Sequence, residues 1–295
     1  GWNIPVERLS EALQRCAEAS GVRFITADAE SYSLNNGRAE VRLAGGDRLD
    51  GDIVIAADGR ASRLRATAGI STIDWSYDQA AIAASFDHTA PHHGISIEYH
   101  KSAGPLTTVP MPQGRSALVW MGKPAAVDEL MALPDADFAK RLQLETHGDL
   151  GLISNIGLRK SFPMRGLTAS VFARNRLMLV GEAGHVVPPI GAQGLNISMR
   201  DAALAAQLIS DAIGWNEDPG GTKTMQTYDT ERRRDVLPRQ AVVHTLNSSL
   251  LAQLAPFHAL RAIGLSAINQ IAPMRDRVVR EGLAPQRGLP RIMRG

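Results

Sequence analysis

A chain of 295 residues, 44% of them apolar and 21% charged, is long enough to fold around one large core or two smaller ones. Its net charge of +2 is small and its basic residues are dispersed, which argues against a nucleic-acid-binding face. The single cysteine, Cys16, excludes an intrachain disulfide, and no apolar run reaches the roughly 20 residues that span a bilayer. We therefore expect a soluble, cytoplasmic protein whose membrane contact, if any, is peripheral to the inner face of the membrane.

The first quarter of the chain predicts a helix followed by a small sheet. Pro5 fits the first turn of a helix and Gly21 fits its end, which predicts a helix over residues 5–20. Turn-forming sequences at 35–37 and 45–47 then separate short predicted strands at 22–26, 39–43 and 52–57. The last of these strands leads directly into Asp58-Gly59.

The middle of the chain predicts a second sheet, with antiparallel strands punctuated by proline and glycine at 80–86, 95–99, 106–110 and 116–121. A helix over 128–146, an extended segment at 158–162 and a short apolar strand at 176–180 follow. The strand runs into Gly181.

The last third of the chain is predicted to be mainly helical. A helix with an apolar stripe covers 194–213, and after a loop at 216–221 the helices are kinked or broken at Pro238, Pro256 and Pro273. The stretch 275–295 carries six arginines interleaved with apolar residues. It is compatible with contact to an acidic membrane surface or with a solvated tail, and its glycines and prolines break any long amphipathic helix.

The segment 52–65 is the first candidate site. A strand that ends at an acid and a glycine before a helix leaves backbone N–H groups free for a phosphate. Asp58 could accept a hydrogen bond from a ribose or water, and Arg65 could reach outward to a ligand. Taken alone, the segment is better explained as an ordinary strand, turn and helix capped by Asp58 or Ser62.

The segment 181–196 is the second candidate site. Gly191 and Gly194 remove side chains where a flat ring could lie, and Pro188-Pro189 stiffen the wall. The helix N-terminus near residues 195–196 favours negative charge on a ligand. Glu182 could bond a ribitol or ribose hydroxyl or simply face solvent. The residues alone therefore indicate a planar pocket that favours an anion. They do not identify the ligand, because Gly-x-x-Gly before a helix is a weak signal for phosphate binding.

Taken together, the two segments resemble the downstream motifs of the group A FAD-dependent aromatic monooxygenases, the 4-hydroxybenzoate hydroxylase-like family. Segments 104–111 and 114–120 and the tail from Tyr228 to Asn247 are similar to the ubiquinone-biosynthesis branch of that family. The sequence departs from the family at Glu182, where aspartate is usual, and at Gly184, where alanine is common. The resemblance implies FAD as cofactor, NAD(P)H as co-substrate and cofactor-binding roles for Asp58, Gly59, Arg65, Gly181, Glu182, Gly191, Ala192, Gly194, Leu195 and Asn196.

The same resemblance implies an α/β fold of the FAD-binding, Rossmann-like type with an antiparallel substrate sheet and C-terminal helices. The FAD-binding domain would comprise residues 1–75 and 155–213, the substrate sheet 76–154 and the helical region 214–295. The family's N-terminal βαβ unit with its Gly-x-Gly-x-x-Gly turn has no counterpart here, so we expect an incomplete, N-terminally truncated FAD-binding fold.

The function implied is hydroxylation of a phenolic ubiquinone precursor with NAD(P)H and O₂ through a flavin hydroperoxide. Pro188 and Pro189 would lie between flavin and substrate, and no side chain is assigned as acid or base. Two alternatives stay open, namely a hydroxylase of a small soluble aromatic such as a hydroxybenzoate, and a non-catalytic accessory homologue that lacks FAD. The expected partner is an aromatic small molecule, with or without a polyprenyl tail. Homo-oligomer formation and contact with a biosynthetic complex also stay open.

The histidines are expected to be structural, and no metal site is predicted. His88, His92, His93 and His100 fall in the substrate-sheet region, where the first three read as part of a polar turn. His185 is expected to brace its loop by hydrogen bonds rather than to transfer protons.

Overall fold

The computed structural model describes residues 3–101, 104–189, 193–251, 272–273 and 289–294. The helices in these ranges are α1 (Val6–Ala19), α2 (Arg63–Thr67), α3 (Pro124–Ala132), α4 (Asp135–Glu145), α5 (Gln193–Gly214) and α6 (Thr222–Leu251). The strands are β1 (Ala29–Asn35), β2 (Arg38–Leu43), β3 (Arg48–Gly51), β4 (Val54–Ala56), β5 (Thr72–His88), β6 (Ile97–Tyr99), β7 (Leu106–Met111), β8 (Arg115–Gly122), β9 (Ile153–Ser154), β10 (Lys160–Ala169), β11 (Ala173–Arg174), β12 (Leu177–Leu179) and β13 (His185–Val186).

The chain divides into two compact units. The first, called here the antiparallel unit, comprises Gly1–Ile25 and Ser76–Met164. The second, called the parallel unit because it contains the parallel strand pair, comprises Thr26–Trp75 and Arg165–Gly295. The long strands β5 and β10 each begin in one unit and end in the other.

The antiparallel unit is a sheet with two different faces. Strands β5, β8, β7 and β6 are neighbours in that order, and β9 pairs with the end of β5. Because side chains alternate along a strand, Ile82 and Phe86 of β5 share one face with Leu118 of β8. These three residues are fully buried in a core that also holds Phe138 and Leu142 of α4. The helices therefore cover one face of the sheet.

The parallel unit contains two small three-stranded sheets. Strands β1, β2 and β3 form an antiparallel meander. In the other sheet β12 lies between β11 and β4, antiparallel to the first and parallel to the second. Buried Leu177 and Leu179 of β12 contribute to the core on one side, while Met178 packs with Ile197 of α5 and Tyr228 of α6. The helices α5 and α6 thereby fix the position of β12 and of the loop that follows it.

Several predicted elements need correction. Residues 22–26 are not a strand, because Val22, Phe24 and Ile25 are exposed and pair with no other strand in the described part of the chain. The first strand is instead β1, a mostly polar segment in which Tyr32 is buried. Strand β3 was not predicted either. The single helix predicted over 128–146 is two helices, because Leu133 before Pro134 is extended.

The C-terminal prediction can be checked only in part. Helix α6 continues through Pro238 without interruption, whereas Pro256 and most of the arginine-rich stretch lie outside the described residues. Within the ranges given above, no helix has the length and apolar character needed to cross a membrane.

Candidate functional site

The two candidate segments meet at the edge formed by the carboxyl ends of the parallel strands β4 and β12. Strands β4 and β12 are parallel neighbours, with Leu177 opposite Val54 and Leu179 opposite Ala56. The N–H of Val180 extends this ladder by donating to the carbonyl of Ala56 at 2.9 Å. Because both strands point the same way, Asp58-Gly59 and Gly181 leave the sheet side by side. This edge is where open α/β sheets place their ligands.

The first loop keeps its acid exposed to solvent. Ser62, not Asp58, caps α2, since its Oγ accepts a hydrogen bond from the N–H of Arg65 at 3.0 Å. Among the described residues, Asp58 receives a single hydrogen bond, a long one of 3.4 Å from the N–H of Leu64. Gly59 has a φ of +78°, and a Cβ placed there would meet no atom of the described residues within 4 Å. The loop thus presents a carboxylate beside open space.

Arg65 does not reach outward, which corrects the prediction. Its side chain is buried, with Nη2 donating to the carbonyl of Arg60 and Nη1 to that of Ala183, both at 2.8 Å. Arg60 lies in the first loop and Ala183 in the second. Because a buried guanidinium needs its donors satisfied, these carbonyls hold it in place. Arg65 therefore ties the two loops together.

The second loop is tightly packed on its inner side and open on its outer side. Gly181 has a φ of +62°, and a Cβ at Gly184 would lie 3.0 Å from Cδ1 of Phe172. This contact explains glycine at 184, where the resembling family commonly has alanine. Glu182 is exposed, Pro188 is buried and Pro189 is half-buried.

A buried carboxylate holds the second loop from behind. Oδ2 of Asp201, on α5, accepts from the N–H of Gly181 at 2.8 Å and lies 2.7 Å from Nε2 of His185. Its Oδ1 lies 2.6 Å from Nε of Arg232 on α6. The three charged or titratable side chains are each at most 2% exposed. His185 therefore braces the loop, as predicted from the sequence.

The ion pairs continue along α6 to a second, half-buried acid. Asp235 contacts Arg232 at 3.0 Å, Arg200 at 2.6 Å and Arg239 at 2.9 Å. Burial alone would raise the pKa of Asp235, but the hydrogen bond from Arg239 and the nearby guanidinium charges outweigh it and hold the pKa below its ordinary value. Burial lowers the pKa of Arg200. These residues form a connected ionic cluster beneath the loop.

Neither acid was assigned a role from the sequence, although a signal for Asp201 existed. Asp201 lies four residues after Ile197 and four before Ala205, on the buried face of α5. A charged residue in an apolar stripe needs a partner, because an unpaired buried charge is costly. The partner, Arg232, is supplied by α6 and lies 31 positions away, so only the fold identifies it.

The start of α5 completes the site. Leu195 and Asn196 are exposed near the start of α5. A Cβ at Gly194 would meet only Cγ2 of Val187, at 3.9 Å, among the described residues. The predicted ligand contacts Gly191 and Ala192 lie outside those residues.

The histidines of the antiparallel unit have structural partners. His88 contacts the carbonyl of Ala90 at 2.8 Å and Oγ of Ser116 at 2.9 Å. His92 accepts from the N–H of Gly94 through Nδ1 and donates to the carbonyl of Met111 through Nε2. Both rings brace the connection between β5 and β6, as expected. In the described part of the chain, no group of histidine, cysteine and acidic residues is arranged to hold a metal.

Comparison with known proteins gives a consistent assignment. The family model for FAD binding domains matches residues 2–242. The ubiquinone hydroxylase UbiL of Rhodospirillum rubrum is 33% identical over 258 residues, covering 86% of this chain and 60% of that protein. The mitochondrial ubiquinone biosynthesis monooxygenase COQ6 of Xenopus tropicalis is 28% identical over 319 residues, covering 94% of this chain and 68% of that protein.

The fold is also found among solved structures. The Diels-Alderase PyrE3 of pyrroindomycin biosynthesis superposes with a TM-score of 0.73 at 18% identity, covering 95% of this chain and 60% of that one. This chain therefore spans about 60% of the length of both UbiL and PyrE3. Since one fold serves many reactions, the structural likeness establishes the fold and not the chemistry.

Proposed function

This chain belongs to the FAD-binding-domain family, and from that premise we propose that the protein is an FAD-dependent monooxygenase that hydroxylates a phenolic ubiquinone precursor with NAD(P)H and O₂. The names of its relatives UbiL and COQ6 support the reaction class. The observation that carries the proposal is the meeting of the Asp58-Gly59 and Gly181-Glu182 segments at the carboxyl ends of two parallel strands, beside the N-terminus of α5.

The site fits FAD in shape and in its hydrogen-bonding groups. Open space at Gly59 and Gly194 leaves room for a ligand to approach the backbone closely. The exposed carboxylates of Asp58 and Glu182 can accept hydrogen bonds from the hydroxyl groups of the cofactor. The first turn of α5 favours negative charge, which a reduced flavin carries at its pyrimidine edge. These residues, with Leu195 and Asn196, would hold the cofactor.

When bound, FAD would supply the electron transfer from NAD(P)H to O₂ that makes one oxygen atom available to the substrate ring. The balanced reaction converts the phenol, O₂, NAD(P)H and a proton into the hydroxylated phenol, NAD(P)⁺ and water. Pro188 and Pro189 would lie between cofactor and substrate and help to exclude water.

The remaining residues act by positioning. Asp201 fixes the start of the second loop through the N–H of Gly181 and its middle through His185. Arg65 fixes the distance between the two loops through the carbonyls of Arg60 and Ala183. A loop held at three points needs little reorganisation when a ligand binds, which preserves affinity.

The direct test measures NAD(P)H oxidation and product formation by the purified protein that contains this chain. We expect 2-prenylphenols to stimulate NAD(P)H oxidation and to be hydroxylated in step with it. Stimulation by 4-hydroxybenzoate but by no prenylated phenol would assign the protein to small soluble aromatics instead. A preparation without flavin and without NAD(P)H oxidation would favour a non-catalytic accessory role.

The prenyl tail also suggests where the protein acts. We propose that it acts at the membrane surface in which such a tail resides, since apolar chains partition into lipid. Recovery of the protein with sedimented vesicles only when they contain the prenylated phenol would support this location.

A further inference from the structure

Gln240 of α6 is a buried amide that binds the backbone of the second loop close to its two prolines. It is 5% exposed. Its Nε2 donates to the carbonyl of Leu167 at 2.8 Å and, more weakly, to that of Val186 at 3.3 Å. Its Oε1 accepts a hydrogen bond from the hydroxyl of Thr168. Because both polar atoms of the buried amide are satisfied, its orientation is fixed and it holds the backbone that it touches.

These contacts lie where strands β10 and β13 stop pairing. Strand β13 has only two residues, and Leu167 lies opposite Val186 in the last pair of the ladder. The chain then continues through Val187 into Pro188-Pro189. Since proline has no N–H, neither proline can donate a backbone hydrogen bond that would hold the chain. Gln240 therefore fixes the backbone two residues before the first proline.

Thr168 orients the amide of Gln240. Because its hydroxyl donates to Oε1, Nε2 faces the carbonyls of Leu167 and Val186. The reversed amide would set Oε1 against two carbonyl oxygens, which offer it no hydrogen. Thr168 also lies opposite His185 in the ladder, so the hydroxyl, the amide and the loop belong to one network.

Gln240 and Asp201 hold different parts of the second loop. Asp201 of α5 contacts the N–H of Gly181 and the side chain of His185. Gln240 of α6 contacts the carbonyl of Val186, on the side that leads to the prolines. A change at Gln240 should therefore displace the proline segment while leaving the Gly181 end of the loop in place.

We propose that Gln240 is a positioning residue that holds the Pro188-Pro189 segment beside the cofactor and thereby keeps water from the reacting atoms. This inference rests on the proposed function. With the segment in place, O₂ and NAD(P)H are consumed together with the phenol. When the segment is displaced, entry of water favours a competing reaction, in which O₂, NAD(P)H and a proton give H₂O₂ and NAD(P)⁺. No oxygen atom then reaches the phenol.

The test uses two variants of the full protein that contains this chain. Gln240→Met removes both the donor and the acceptor at similar volume, and Thr168→Val leaves the amide free to turn. One measurement is the ratio of H₂O₂ to hydroxylated 2-prenylphenol during NAD(P)H oxidation. The other is the quenching of flavin fluorescence by iodide, which reports access to bound FAD without turnover. The matched controls are Gln226→Met and Thr245→Val, at exposed positions of α6.

Gln240→Met should raise the ratio of H₂O₂ to product by about 5-fold, as expected when a neutral hydrogen bond that holds the segment is lost. The iodide quenching constant should rise with it. Thr168→Val should change both quantities in the same direction by a smaller factor. FAD content and the KM for the phenol should stay at their wild-type values, because the proposed role is to hold the loop and not to bind either molecule. Both controls should match wild type.

The outcomes separate the role of Gln240 from the proposed function. If Gln240→Met hydroxylates the phenol with the wild-type ratio and the wild-type quenching constant, the role is refuted and the function stands. If Gln240→Met does not fold or loses FAD, Thr168→Val decides, and a wild-type ratio in that variant refutes the role.

The function can also fail by itself. If wild type binds FAD but hydroxylates no phenol, the proposed function is wrong, and iodide quenching alone then decides on Gln240. Increased quenching in Gln240→Met would support the positioning role, and unchanged quenching would refute it. A wild type that binds no FAD would overturn both claims.

Discussion

Replacing Asp201 with asparagine removes one buried negative charge and alters three contacts at once. The carboxylate serves the N–H of Gly181 at 2.8 Å, Nε2 of His185 at 2.7 Å and Nε of Arg232 at 2.6 Å. Asparagine keeps one acceptor oxygen but places an N–H₂ group where the second oxygen stood. One partner is then left facing a donor, and the charge of Arg232 is balanced by Asp235 alone.

The size of the effect follows from burial. Asp201 and Arg232 are 0% and 1% exposed, so little solvent is available to replace the lost contacts. Hydrogen bonds to charged groups contribute about 1.5–3 kcal/mol each, and removing one partner of a buried ion pair costs about 3–5 kcal/mol. We therefore expect Asp201→Asn to lower the free energy of unfolding by about 3–5 kcal/mol.

Urea denaturation followed by circular dichroism measures this loss. The matched control is Asp137→Asn, because Asp137 pairs with Lys140 at an exposed position and such pairs contribute under about 1 kcal/mol. If Asp201→Asn does not fold, the double variant Asp201→Asn with Arg232→Met should recover a folded state, since it removes both buried charges. If Asp201→Asn lowered the free energy of unfolding no more than Asp137→Asn does, the bracing role of Asp201 would be refuted.

Three further predictions follow from the same loops. Arg65→Met should lower the free energy of unfolding by about 2–4 kcal/mol, because two buried carbonyls lose their donor. It should also increase amide hydrogen exchange around Ala183, and unchanged exchange would contradict the tie between the loops. Gly184→Ala should lower the free energy of unfolding by about 1–3 kcal/mol by crowding Phe172. Gly214→Ala, whose added Cβ would meet no atom of the described residues within 4 Å, should be close to neutral in the same urea titration. The pKa of Asp235 is held below its ordinary value, so the stability it contributes is present at neutral pH and is lost as the pH falls below about 4. Wild type should therefore lose more stability than Asp235→Asn between about pH 6 and about pH 3, and equal losses would be inconsistent with the ionic cluster.

Local patterns in the sequence predicted the elements that build the site. The apolar strand before Gly181, the helix after Gly194 and the helix between Pro5 and Gly21 all appear close to their predicted bounds. Each depends on a turn residue or an amphipathic repeat within a few positions. The strand predicted at 22–26 was wrong because it depends on contacts outside the segment. Its composition favours a strand, but a strand forms only where a neighbouring strand offers hydrogen bonds.

The contacts that hold the site could not be predicted in this way. Arg65 looked like a ligand-facing side chain because it follows Asp58-Gly59, and only the position of Ala183, 118 residues further on, makes it a structural tie. Asp201 and Arg232 likewise come together from two helices.

FAD content measured by visible absorbance in a Gly194→Leu variant tests the central claim most directly. A side chain at 194 meets only Val187 at 3.9 Å among the described residues and would extend into the space proposed for the cofactor. In the protein that contains this chain, wild type and Gly214→Leu, altered at the other end of α5, should each carry one FAD. Gly194→Leu should be colourless while keeping the wild-type circular dichroism spectrum. A folded Gly194→Leu protein with a full complement of FAD would contradict the account.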